Sequence, residues 1–179
     1  AKSYLTADLF KEGYLPVFTD KSVTVYADPK VKDRAYFVNK VRFAKDKAEM
    51  GQVLDDPSFD PTTEAVVLGE PFEPIFGQNE VVEINHGDNE VAITLRSDGG
   101  GFLILSDAYD PGWQVYVDGK KTTLYQVNGD HRGVIIPTKT NRVIFRYEPA
   151  PFKLGLFISL SSLAITFLYL LGLNLLKRR

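Results

Sequence analysis

Two hydrophobic patterns divide the chain. As far as about residue 150, short runs of β-branched and aromatic residues alternate with polar positions at a period of two, punctuated by Gly, Pro, Asp and Asn. This pattern predicts strands over 23–26, 35–43, 65–68, 81–84, 91–96, 102–106, 113–117, 122–127, 133–136 and 142–147. One helix is predicted over 46–54, with Ala48, Val53 and Leu54 turned inward and Asp56-Pro57 as its stop. The first dozen residues predict a further helical turn. Short strands at this spacing predict a mainly β domain over 1–150, an antiparallel β-sandwich or jelly-roll-like fold with one short helix.

The second pattern has no period. Residues 154–176 contain no charged side chain, and at about 1.5 Å per residue they form a helix about 35 Å long, enough to cross a hydrocarbon layer of about 30 Å. Ser159, Ser161, Ser162, Thr166 and Asn174 are neutral, and their hydroxyls can bond back to helix carbonyls. A helix apolar on every face is poorly suited to the core of so small a domain. Residues 151–179 are therefore expected to be a C-terminal transmembrane helix, about 154–176, with the bilayer as partner and a basic tail, Lys177-Arg178-Arg179. That tail against a lone Lys153 puts the C-terminus in the cytoplasm and 1–150 outside it. The opening AKSYLTADLFKEGYLP lacks the basic and apolar regions of a secretory signal, so delivery by earlier spans of a longer chain is expected.

Turn chemistry then orders the strands. Asp118-Gly119 supplies positive φ for a tight hairpin, and Asn128-Gly129-Asp130 provides the next return. If the last five strands run alternately up and down, loops 107–112 and 128–132 share the end where the terminal helix leaves, and Asp118-Gly119 and 137–140 point away. One neighbourhood then holds Asp107, Tyr109, Asp110, Trp113, Asn128, Asp130, His131 and Arg132; the turn His86-Gly87-Asp88-Asn89 joins it if the meander extends that far. Each has a structural reading: Trp113 shares the parity of Val115 and Val117 and packs in the core, Asp110, Asn128 and Asp130 cap turns, and Arg132 makes an internal ion pair. The functional reading is that aromatic faces stack on sugars or settle at a membrane interface, and that an arginine fork grips phosphate.

Composition narrows the chemistry. With 21 basic and 23 acidic residues, a net charge of -2, the chain has no electrostatic excess for nucleic acid. The absence of cysteine removes disulfides, thiolate zinc sites and a cysteine nucleophile; the two histidines would need carboxylates to bind a metal, and no such cluster stands at ligand spacing. No G-x-S-x-G, H-E-x-x-H or phosphate-cradling glycine loop occurs. No catalytic residue, metal or cofactor is assigned.

The blocks Arg34-Ala-Tyr-Phe-Val38, Val53-Leu54 with Phe59-Asp-Pro61, Ala65-Val-Val-Leu68, Ser106-Asp-Ala-Tyr-Asp-Pro-Gly-Trp113 into Val117-Asp-Gly-Lys120, Val127-Asn-Gly129 with Arg132-Gly133, and Phe145-Arg-Tyr-Glu-Pro149 before the apolar stretch resemble the C-terminal region of YfhO-type bacterial membrane proteins. That family is similar to GT-C glycosyltransferases, which move sugar from a polyprenyl-phosphate carrier to an acceptor outside the cytoplasm, among them teichoic-acid-like envelope polymers. The resemblance implies a multi-pass protein of the bacterial cell membrane, its catalytic carboxylate upstream of this non-catalytic part. It also implies the preceding transmembrane part, lipid-linked sugar or envelope glycopolymer as partners. Tyr109, Asp110, Trp113, Asn128, His131 and Arg132 are the expected contacts to substrate or to neighbouring loops. The alternative is a membrane-anchored, non-enzymatic module that binds envelope carbohydrate or a partner protein.

Overall fold

The computed structural model describes residues 13–29, 31–73 and 75–177, with side chains described as far as residue 171. Among them are thirteen strands, in the order β1 (Leu15–Thr19), β2 (Thr24–Ala27), β3 (Ala35–Val38), β4 (Lys40–Ala44), β5 (Glu64–Leu68), β6 (Asn79–His86), β7 (Glu90–Ser97), β8 (Gly101–Leu105), β9 (Trp113–Val117), β10 (Lys120–Thr122), β11 (Tyr125–Val127), β12 (His131–Ile136) and β13 (Arg142–Tyr147). Helix α1 (Lys47–Leu54) lies between β4 and β5, and α2 (Ala150–Lys177) closes the described chain. The strands form a hairpin β1-β2, a five-stranded sheet β10-β9-β13-β7-β6 and a six-stranded sheet β3-β8-β12-β11-β5-β4. The mainly β, sandwich-like architecture agrees with the alternating pattern.

The six-stranded sheet is not flat. β3 and β4 stand at its two ends in the strand order, yet only Asn39 separates them in the chain. Consecutive Cα atoms are about 3.8 Å apart, so the sheet must curl until its two edges meet at Asn39. Alternation then sorts its side chains. One parity, Val38, Ala65, Val67, Phe102, Ile104 and Val127, fills the inside of the curl. The other, including Ala35, Leu103, Leu105, Val134 and Ile136, faces Val91, Ile93, Leu95, Val115, Val117, Val143 and Phe145 of the five-stranded sheet. Further along the same outer face, Val66 and Ala44 receive Met50 of α1. Phe72, from the loop after β5, packs its ring against Phe43, Phe102 and Tyr125, with centroids 4.9, 5.7 and 5.0 Å away.

Five expectations are corrected. The strand over 35–43 is two strands, because after Val38 the chain leaves β8 and pairs with β5. β4 and β5 are parallel, since the connection through α1 is a crossover and not a hairpin, so the fold is not wholly antiparallel. The strand over 122–127 is also two: β10 pairs with β9 in one sheet, β11 with β12 in the other, and the chain changes sheet between them. In α1, Ala48 is exposed and Met50 is the fully buried residue, Val53 and Leu54 packing beside it. β1 lies outside the expected strands, which begin at residue 23, and it contains Pro16, which has no ladder donor. The helical turn expected over the first dozen residues lies outside the described residues.

The terminal helix starts earlier than the apolar run, at Ala150, with Pro151 in its first turn, where a missing N–H costs no intrahelical bond. Residues Ala150–Leu171 have a mean hydropathy of 2.1 over their most apolar window, and none of that window is buried. Thr166 Oγ1 donates to Ser162 O at 2.9 Å, the back-bonding expected of hydroxyls in an apolar helix.

Candidate functional site

Strand direction brings the turns together. β8, β11 and β13 run toward the helix end of the domain, and β9 and β12 run away from it, as the antiparallel registers require. Loop 107–112 and the turn at 128–130 therefore meet, joined by Tyr109 N donating to Asp130 O at 2.8 Å. At the far end, the Asp118 carboxylate accepts from Arg142 N at 2.9 Å, which ties the Asp118-Gly119 turn to the start of β13. The turn at 87–89 also belongs to the helix end, where Tyr147 N donates to Asn89 O at 2.9 Å. Glu148 N donates to Gly112 O at 2.7 Å, so the exit of the helix is fixed to loop 107–112.

Arg132 is the centre of this pole. It is the second residue of β12, on the parity that faces the five-stranded sheet, and it is 5% exposed. Its guanidinium carbon lies 3.7 Å from the Trp113 ring centroid, and Trp113 packs in turn on Tyr147 with centroids 5.2 Å apart. Arg132 Nε donates to Ala108 O at 2.9 Å, and Nη1 is 3.7 Å from Asp107 Oδ2, an ion pair beyond hydrogen-bond length. Nη1 is buried without a hydrogen-bond partner among the described residues. Burial lowers the Arg132 pKa from its ordinary value, and Asp107 opposes that shift.

Asp107 is shared. Arg34 grips it with a two-pronged bond, Nε to Oδ1 at 2.7 Å and Nη2 to Oδ2 at 2.9 Å. That hydrogen bond raises the Arg34 pKa above its ordinary value. Arg34 Nη1 also reaches His86 Nε2 at 2.9 Å. Arginine can only donate, so Nε2 accepts and the ring proton is on Nδ1.

The other expected contacts divide. Tyr109 is half-buried and Asp110 exposed at the rim, the Asp110 carboxylate accepting from Gly112 N at 2.7 Å. Asn128 is built into the sheet: its Oδ1 accepts from Val66 N at 2.8 Å and its own N–H donates to Val66 O at 2.9 Å, with φ at +49°. His131 is half-buried, with Nδ1 lacking a hydrogen-bond partner among the described residues. Trp113 packs at the edge of the inter-sheet core, as its parity predicts.

Arg34, Tyr147 and Glu148 were not named as site residues. Arg34 precedes β3, well before the last five strands whose alternation predicts the pole. Beside them a cleft of about 350 Å³ is lined by Asn89, Tyr147, Glu148, Pro149, Phe152 and Lys153. A second, of about 370 Å³, shares Tyr147 and Pro149 and adds Asp110 and Gly112. Both lie where the sheet hands over to the helix. Among the described residues no group of three or more His, Cys, Asp or Glu could hold a metal ion. The pole can present hydrogen-bonding rims and aromatic edges; it shows no nucleophile with an adjacent base.

No curated protein and no solved structure matches the chain. Residues 76–159, from the loop before β6 into the terminal helix, match the family described as bacterial membrane protein YfhO. That stretch contains loop 107–112, Trp113, Asn128, His131, Arg132 and the helix exit, and over it the chain is similar to the YfhO-type bacterial membrane proteins.

Proposed function

We propose that this chain is the extracytoplasmic C-terminal domain and last span of a multi-pass YfhO-type protein that transfers sugar from a polyprenyl-phosphate carrier to an envelope polymer. The domain is non-catalytic and shapes the outer mouth of the transferase cavity. One observation carries the reading: the apolar helix leaves from the same pole that gathers Tyr109, Trp113, Arg132 and the Arg34–Asp107 pair. With α2 in the bilayer, that pole faces the membrane surface, where the headgroup of a lipid-linked sugar would lie. Arg132 and Trp113 hold each other as an internal brace, and Tyr109, Asp110 and Asp130 form the rim that meets sugar, phosphate or neighbouring loops.

In the intact protein, Tyr109→Ala removes a rim contact, whereas Trp113→Ala and Arg132→Ala loosen the platform beneath it. All three are expected to lower sugar transfer at unchanged protein abundance. Full transfer by all three at normal abundance would contradict the role. Deleting the domain separates the alternative: retained transfer with lost polymer or partner binding would favour a non-enzymatic binding module.

A further inference from the structure

The hairpin β1-β2 has an apolar face that nothing in the described structure covers. We propose that this face docks on the lipid interface beside the terminal span, as a second, non-spanning membrane contact. The register carries the first part of the argument. Leu15 pairs with Ala27 and Pro16 with Tyr26, but a bulge between Pro16 and Phe18 shifts the ladder so that Phe18 pairs with Val25 and Thr19 with Thr24. Directly paired residues share a face, and alternate residues of a strand do so too. Leu15, Phe18, Val25 and Ala27 therefore lie on one face, and Pro16, Thr19, Thr24 and Tyr26 on the other. The bulge, at Val17, is what brings Phe18 to the face of Leu15.

The exposed areas carry the second part. Leu15, Phe18 and Val25 are 58%, 56% and 46% exposed, and Val17 and Val23 at the flanks 63% and 53%. An isolated two-stranded ribbon is marginal in water, so a face of this kind needs a cover. The cover is identified by reach. Ala27 is eight residues from Ala35, at most about 28 Å of extended chain. Ala35 pairs with Leu105 at the helix-side pole, and Tyr147 at that pole is three residues from the first residue of α2. The hairpin is thus tethered within reach of the plane that α2 crosses, an apolar phase available to every copy. Its tip is polar, with the Asp20 carboxylate accepting from Ser22 N and Val23 N at 2.6 and 2.7 Å. The ribbon therefore lies flat on the interface, apolar face down, instead of inserting tip first.

The proposal rests on α2 being a membrane span, and the test reports that separately. The chain has no cysteine, so single-cysteine variants carry a nitroxide without background. Phe18→Cys and Val25→Cys mark the apolar face, Thr24→Cys the opposite one and Leu163→Cys the helix. The full chain is reconstituted in phosphatidylethanolamine–phosphatidylglycerol vesicles, and collision with oxygen is compared with collision with a water-soluble nickel chelate. The expected result is an oxygen-to-nickel ratio severalfold higher at positions 18, 25 and 163 than at 24. Lipid contact at 163 with strong nickel collision at both 18 and 25 would overturn the proposal and leave the span intact. Low collision with both reagents at 18 and 25 would overturn it in favour of a protein cover. Nickel access at 163 would overturn the reading of α2 as well.

Discussion

Gly133 shows how closely single side chains are fitted. A Cβ there would stand 2.6 Å from Phe102 Cζ and 2.6 Å from Val127 Cγ1, inside the curled sheet. Gly133→Ala is expected to destabilise by about 1–3 kcal/mol through overpacking, seen as a lowered thermal midpoint of the chain in detergent. Around Arg132 the prediction concerns charge. Asp107→Ala removes the carboxylate that faces both Arg34 and the buried Arg132, at a cost of about 3 kcal/mol. Arg132→Met keeps the volume and removes the buried charge, so it should cost clearly less; a larger loss for Arg132→Met than for Asp107→Ala would contradict the pairing. The sequence placed Arg132 beside Trp113 but could not show their stacking, because the strand pattern gives the end of the domain a residue occupies and not which sheet it faces across. Asn128 was foreseen as a turn residue, and its hold on β5 was hidden because that pairing spans 62 positions.

At the scale of the element, the hairpins with glycine turns were legible, and the two places where a strand changes partner were not. Asn39 and the residues between β10 and β11 interrupt runs whose alternation continues across the break, so hydrophobic period alone reads one strand. The crossover from β4 to β5 carries its own electrostatic fastening. Glu64 accepts from Arg42 Nε at 2.6 Å and from Lys40 Nζ at 3.0 Å, and these bonds hold its pKa below the ordinary 4.5. A carboxylate with a depressed folded pKa adds stability that is present above the unfolded value and lost as pH falls through the folded one. The thermal midpoint should therefore drop as pH is lowered from about 5 toward 3. Glu64→Gln should lose part of that slope and be less stable at neutral pH; an unchanged pH profile would contradict the role given to the Lys40–Glu64–Arg42 group.

The whole molecule is organised by how short the passage from sheet to helix is. Only Glu148 and Pro149 lie between β13 and α2, and Glu148 is held by Gly112 O and by Lys153, 3.2 Å from its carboxylate. With so little slack, the helix-side pole must stay at the surface of whatever phase α2 occupies. The apolar run and the last five strands make this pole legible in the sequence, because strand parity and helix length both follow from regular repeats along the chain. The curl of the six-stranded sheet was not legible, since it depends on which distant strands pair. The orientation across the membrane is the claim on which the proposed role turns. Lys120, exposed on β10 at the pole away from the helix, tests it most directly. With Lys120→Cys in the intact protein, a membrane-impermeant maleimide added to sealed spheroplasts should label the chain fully. Labelling only after the spheroplasts are lysed would put the β domain in the cytoplasm and contradict the account.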